Sequence, residues 1–182
     1  MAHSDSHSHC ANCSPQPVLP RVVNHIGISV PDIDAAIKFY SESFGIKCLR
    51  ESNTYSAAKS PSIPIFKIYG AALKEVRVAY MTSGNGVGIE LFQFIDPVHE
   101  PKQPYKHPEG DLPFDYPRSG FFHVALTVPS VEQAVERVKE LGGKIVGEVV
   151  ELGKNKAAYI QDPWGNVFEM IDNSFECLFA NT

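Results

Sequence analysis

The chain is poor in the residues that would mark several large classes of protein. Cysteine occurs four times in 182 residues, at Cys10, Cys13, Cys48 and Cys177. That is too few and too scattered for a disulfide framework at this length. No apolar run approaches the ~18–20 residues of a membrane-spanning helix. There is no basic excess: 16 Lys and Arg stand against 21 Asp and Glu, for a net charge of −5. An acidic chain without a basic stripe argues against nucleic acid as a partner. The first twenty residues lack the basic start and the apolar stretch of a secretory signal. With the sparse thiols, this reads as a reduced, cytoplasmic protein. A hydrophobic fraction of 43% at this length is enough for a core that needs no covalent staple.

The leader, residues 1–20, carries His3, His7, His9, Cys10 and Cys13. A tract of this kind can bind metal, but its spacing fixes no geometry, so it is read as a polar tail.

What the chain does have is an internal repeat. Asn24-His25-Ile26-Gly27-Ile28-Ser29-Val30-Pro31 recurs as Phe122-His123-Val124-Ala125-Leu126-Thr127-Val128-Pro129, an offset of 98 residues. Each copy runs into a helical pattern. Ile33, Ile37, Tyr40 and Phe44 follow the first copy and stop at Gly45; Val131, Val135, Val138 and Leu141 follow the second and stop at Gly142-Gly143. Asp32 and Ser130 stand at N-cap positions, and Ser130 with Gln133 makes a capping box. Strand-like runs follow at 75–81 and 87–94 in the first half, and at 144–150, 157–160 and 166–171 in the second. The fold class is therefore α+β. Its parts are a leader (1–20), a first module (21–95), a proline-rich connector in extended conformation (96–120), a second module (121–175) and a tail (176–182). The stretch 49–74 has no readable period.

Strand alternation puts His25, Gly27 and Ser29 on one face and His123, Ala125 and Thr127 on its counterpart. The aliphatic residues between them belong under the following helix, so each His projects from the uncovered side. The last strand of each half carries a lone acid in an apolar run: Glu90 in Gly88-Ile89-Glu90-Leu91-Phe92, and Glu169 in Val167-Phe168-Glu169-Met170-Ile171. A carboxylate there is costly unless paired or bound. Two imidazoles and two carboxylates on open sheet faces suit one divalent ion: Zn, Ni, Co, Mn or Fe(II).

These motifs, with Phe39-Tyr40, Phe44-Gly45 and Asp162-Pro163-Trp164-Gly165-Asn166, resemble the vicinal oxygen chelate superfamily, the glyoxalase I, bleomycin-resistance and extradiol-dioxygenase group. The resemblance spans residues 21–172. It implies two tandem βαβββ modules whose curved sheets form a pair of half-barrels around one metal. It also implies that His25, Glu90, His123 and Glu169 are the ligands. The His/Glu/His/Glu set is similar to that of the glyoxalase I members. It implies proton transfer next to a carbonyl through a metal-bound enediolate, in an isomerase, lyase or epimerase. Glu169 is the expected main base, and Glu90 the group that returns the proton.

The alternatives are an Fe(II)-dependent extradiol-type dioxygenase, which requires Glu90 to stay unbound, and a non-catalytic small-molecule binding or resistance protein. Glutathione is a candidate co-substrate, but Ser29 stands where many glyoxalase I sequences have an arginine for it. Arg118, Lys154 or Lys156 would then supply the charge. The expected partners are a small-molecule substrate and a second copy of the chain in a homodimer, without membrane. The aromatics Tyr55, Phe66, Tyr69, Tyr105, Phe114, Tyr116 and Phe121 either border the metal cavity, favouring a bulky substrate, or pack on outer faces.

Overall fold

In the computed structural model, described over residues 21–180 apart from 103–105 and 108–109, the repeat becomes two copies of one topology. The first begins with β1 (His25–Ser29), whose Ile28 is buried while His25, Gly27 and Ser29 are exposed. Helix α1 (Ile33–Phe44) follows. The Asp32 carboxylate accepts from the Asp34 and Ala35 amides, and Gly45 ends the helix at φ 69°, a left-handed conformation that favours glycine. Its buried stripe is Ile33, Ala36, Phe39 and Tyr40. Then come β2 (Lys47–Ser56), the short α2 (Pro64–Tyr69), β3 (Glu75–Thr82) and β4 (Gly88–Asp96). The sheet order is β1-β4-β3-β2, with β1 parallel to β4 and the other pairs antiparallel.

The connector holds a two-residue hairpin, β5 (Lys106–His107) with β6 (Gly110–Asp111). So the stretch read as extended contains a small sheet of its own. Gln161 donates to the Pro113 carbonyl and fastens it to the second module, and within it the buried Asp115 pairs with Lys102 at 3.1 Å and Arg118 at 3.4 Å.

The second copy comprises β7 (Val124–Thr127), α3 (Val131–Glu140), β8 (Lys144–Leu152), β9 (Asn155–Gln161) and β10 (Val167–Ile171), with α4 (Phe175–Phe179) at the end. Its sheet order, β7-β10-β9-β8, repeats the first, again with one parallel pair. Ser130 caps α3 by accepting from the Gln133 amide.

One apolar core serves both modules. Ile28, Ile33, Phe39, Tyr40 and Leu91 of the first pack in the same cluster as Val131, Val135, Ile160, Phe168 and Met170 of the second. Each fully buried aliphatic of this kind contributes ~1.5–3 kcal/mol. Tyr40 and Trp164 bridge the modules, with ring centroids 6.2 Å apart, and the Tyr40 hydroxyl donates to the buried Asp162 at 2.5 Å. Asp162 also accepts from the Trp164 and Asn166 amides and from Asn166 Nδ2. Burial pushes the Asp162 carboxyl above its ordinary range against these donors, and burial with the Asp162 charge drives the Tyr40 phenol well above its own. The helix-covered faces of both sheets meet this core, and the histidines stand on the opposite, open face of each sheet. Among the described residues no helix is long and apolar enough to cross a membrane.

Candidate functional site

The two parallel strand pairs set the geometry. Gly27 lies opposite Glu90, and Ala125 opposite Glu169. In both halves, then, the glutamate stands beside the residue two places after the histidine, on the open face. His25 Nε2 is 3.4 Å from Glu90 Oε2, and His123 Nε2 is 3.3 Å from Glu169 Oε2.

The first pair sits in a polar, open setting. The His25 and Glu90 side chains are 49% and 25% exposed. Asn24 Oδ1 accepts from His25 Nδ1 at 2.7 Å, which turns Nε2 toward Glu90. Gly88 is the strand neighbour of His25, and a Cβ there would come within 3.3 Å of the His25 Cβ. The pair borders a shallow cavity of about 270 Å³ that Leu49, Tyr80 and Thr82 also line. Tyr80 is the cross-strand partner of Glu90, and the Arg50 guanidinium lies over its ring. Burial raises the Tyr80 phenol, Tyr55 and the Glu90 charge add to this, and Arg50 opposes it.

The second pair is more enclosed, at 25% and 17% exposure. Aromatic rings surround it. Phe122 contacts His123 at 4.6 Å between centroids, Tyr159 meets it edge-on at 5.1 Å, and Phe114 stacks on Tyr159 at 5.8 Å. The His123 Nδ1 is buried without a hydrogen-bond partner among the described residues. Tyr159 is the cross-strand partner of Glu169 and hydrogen-bonds it; burial first, then the Glu169 charge, raises its phenol.

The stretch 49–74 and the connector both end up on open faces. Phe66, Leu73, Val76, Val78 and Phe92 form a second apolar cluster against Tyr55 and Phe94 on the first sheet. Phe114 covers the second sheet with Tyr116 against it, and Leu178 of α4 packs on Ala157 and Ile171. The aromatics thus border the His–Glu faces, apart from Phe121, which is fully exposed, and Tyr105, which lies outside the described residues. The leader's His3, His7, His9, Cys10 and Cys13 lie outside them too. Of the cations considered for the substrate, Arg118 pairs with Asp115, Lys156 pairs with Glu132, and Lys154 sits on an exposed turn. Ser29 Oγ is 3.0 Å from His99 Nδ1. Cys48 and Cys177 are free and exposed.

Four residues of these faces escaped the sequence reading: Asn24, Arg50, Tyr80 and Tyr159. A signal existed for two of them. Tyr80 and Tyr159 each precede their glutamate by 10 residues.

The donors fit a divalent ion in halves. Two donors at ~2.0–2.2 Å from one ion, roughly 90–110° apart, stand about 2.8–3.6 Å from each other. Both His–Glu separations fall in that range. Yet among the described residues no group of three or more His, Cys, Asp or Glu comes together to hold an ion. The structure assembles the four residues as two equivalent pairs.

Known proteins place this architecture. The model of the Glyoxalase/Bleomycin resistance protein/Dioxygenase superfamily matches residues 22–170. A probable chloroplastic lactoylglutathione lyase of Arabidopsis thaliana is 31% identical over 150 residues, which is 81% of this chain and 35% of that protein. A 2-epi-5-epi-valiolone epimerase of an Actinomyces species is 24% identical over 156 residues, covering 82% of this chain and 78% of its own. The chain spans well under half the length of the plant lyases it matches. In structure, a glyoxalase family protein from Bacillus cereus superposes with a TM-score of 0.67 at 23% identity, over 86% of this chain and 96% of that one. With two tandem βαβββ modules and a family match across both, the chain belongs to the Glyoxalase/Bleomycin resistance protein/Dioxygenase superfamily.

Proposed function

We propose that the chain is a divalent-metal-dependent enzyme that moves a proton on a carbon next to a carbonyl, as an isomerase, lyase or epimerase, and that it works as a homodimer with composite sites. In each site His25 and Glu90 come from one copy, and His123 and Glu169 from the other. The observation that supports this reading is the pair of matched two-donor halves, 3.3 and 3.4 Å across, neither of which gathers a third His, Cys, Asp or Glu among the described residues. A two-fold dimer brings unlike halves together twice.

A bound Zn, Ni, Co, Mn or Fe(II) ion would draw electron density from the carbonyl oxygen and acidify the neighbouring C–H bond. The chain's own residues do the rest. Glu169 takes the carbon-bound proton. Its cross-strand partner Tyr159, with Phe114 stacked on that ring, encloses the carboxylate's side of the site. The more exposed Glu90 returns the proton to the neighbouring carbon. Asn24 orients His25, and the Phe122 and Tyr159 rings orient His123. The lyase and epimerase relatives support a substrate that is a hemithioacetal of glutathione or another α-hydroxycarbonyl.

The test is metal-reconstituted turnover of methylglyoxal with glutathione, together with solvent deuterium incorporation into other α-hydroxycarbonyls. Metal-dependent exchange is expected. Exchange that is equal without metal contradicts the reading. The aromatic lining at Tyr55, Phe92, Phe114 and Tyr159 favours a second reading, an Fe(II) extradiol-type dioxygenase for an aromatic substrate. Oxygen uptake with Fe(II) and a catechol, and no proton exchange, would decide for it. A protein that takes up no metal would be a binding protein instead.

A further inference from the structure

One cation on the first open face has no carboxylate to answer. Arg77 makes a two-bond pair with Asp34, Arg137 pairs with Glu42 and Glu140, and Arg118 with Asp115. Arg50 makes no ion pair among the described residues. Its guanidinium instead lies over the Tyr80 ring, 4.3 Å from the centroid.

The strand register places this stack in the candidate site. Arg50 lies opposite Tyr80, Tyr80 opposite Glu90, and Glu90 opposite Gly27. Directly opposed residues share a face, so a single row crosses the sheet from Arg50 to the His25–Glu90 pair. The Cα atoms of Arg50 and Glu90 are two strand spacings apart, roughly 9–10 Å. That is within the reach of a short substrate anchored at Glu90 and an arginine leaning over the tyrosine between them.

The stack also prepares the guanidinium to bind. The guanidinium carbon rests 4.3 Å from the ring centroid, and the group's N–H donors lie in its own plane, where they can grip a carboxylate or phosphate by two bonds. Resting on Tyr80 restricts a side chain that would otherwise lose much rotamer freedom on binding. The chain's net charge of −5 repels anions in general, so a local cation has to draw one in. Ser29, on the neighbouring strand end, brings no charge of its own.

We infer that Arg50, held on Tyr80, is a specificity residue that takes a carboxylate or phosphate at the far end of the substrate whose carbonyl end sits at His25 and Glu90. This deepens the proposed function and rests on it.

The test uses matched α-keto acids that differ only in the distal group. Titration calorimetry on the full chain loaded with Co(II) compares α-ketoglutarate with α-ketovalerate for a distal carboxylate. It compares phosphonopyruvate with α-ketobutyrate for a distal phosphonate. The native protein should prefer an anionic tail by about 10–100-fold, as expected for a charge-assisted hydrogen bond. The arm with the larger preference identifies the group. Arg50→Met should bring the anionic-tail affinity down to that of the neutral-tail acid, and Arg50→Lys should restore part of it. Equal affinities in the native protein, binding of neither acid, or a preference that survives Arg50→Met overturns the inference and leaves the metal reading standing. A native protein that takes up no Co(II) overturns both.

Discussion

The two modules share a topology, a register and a His–Glu pair, and differ in what surrounds the pair. In the first, His25 is half exposed, hydrogen-bonded by Asn24, and flanked by the Arg50–Tyr80 stack. In the second, His123 is packed against Phe122 and Tyr159, with Phe114 stacked on both rings, and its Nδ1 is buried without a hydrogen-bond partner among the described residues. Duplication kept the donors in step because the strand register fixes them. The neighbours diverged, one half lined by polar groups and the other by aromatic rings. A polar half suits recognition and proton return; a more enclosed half suits the proton-abstracting step.

The largest effect expected from this contrast falls on the glutamates. Glu169→Gln should lower proton exchange by ~10²–10⁴-fold, and Glu90→Gln by less, as read by deuterium incorporation. The reverse order would exchange the roles of the two halves. Next come the histidine supports. Asn24→Leu removes the acceptor from His25 and should weaken metal binding ~10–100-fold, with Asn24→Asp restoring most of it; competition with a chromophoric chelator measures this. Phe122→Leu, at the matching position, should change the affinity less, since it offers His123 packing and no hydrogen bond. Equal losses would mean that the two histidines are held alike.

A smaller effect concerns the joint between the modules. Tyr40→Phe deletes the hydroxyl that reaches Asp162 and should cost ~1–3 kcal/mol in chemical denaturation. The folded carboxyl of Asp162 is raised by burial, so its contribution to stability is full below the ordinary Asp range. It declines as pH rises through the raised folded value. The smallest effect should come from Gly88→Ala, whose Cβ would stand 3.3 Å from the His25 Cβ, close enough that the neighbour must give by a few tenths of an ångström. A shift in metal affinity of a few-fold at most is expected.

Much of this architecture was legible because periodic signals came twice. The Val-Pro exits into α1 and α3, the caps at Asp32 and Ser130, and the stop at Gly45 all stand where spacing and residue type put them. His25 with Glu90, and His123 with Glu169, follow from strand alternation, since each pair shares a face of adjacent strands. The stretch 49–74 was illegible for a physical reason. Strand β2 is an edge strand, mostly exposed, with register shifts between Cys48 and Arg50 and between Arg50 and Asn53, so alternation breaks. Helix α2 has six residues, too few to show a period.

The division of the four residues into two pairs was equally hidden. Alternation tells which face a residue takes, whereas the mutual placement of the modules depends on contacts far apart in sequence, such as Tyr40 with Asp162. The connector's Phe114 reaches Tyr159 in the same way, through packing that no local pattern announces.

The central claim, a site shared between two copies, is tested most directly by mixing two crippled chains. One carries His25→Ala with Glu90→Gln, the other His123→Ala with Glu169→Gln, and each alone should bind little metal. Co-expressed in equal amounts, they should recover about a quarter of the native metal content, because half of the dimers are mixed and each mixed dimer rebuilds one of its two sites. Recovery of none, with mixed dimers shown to form, would contradict the shared site.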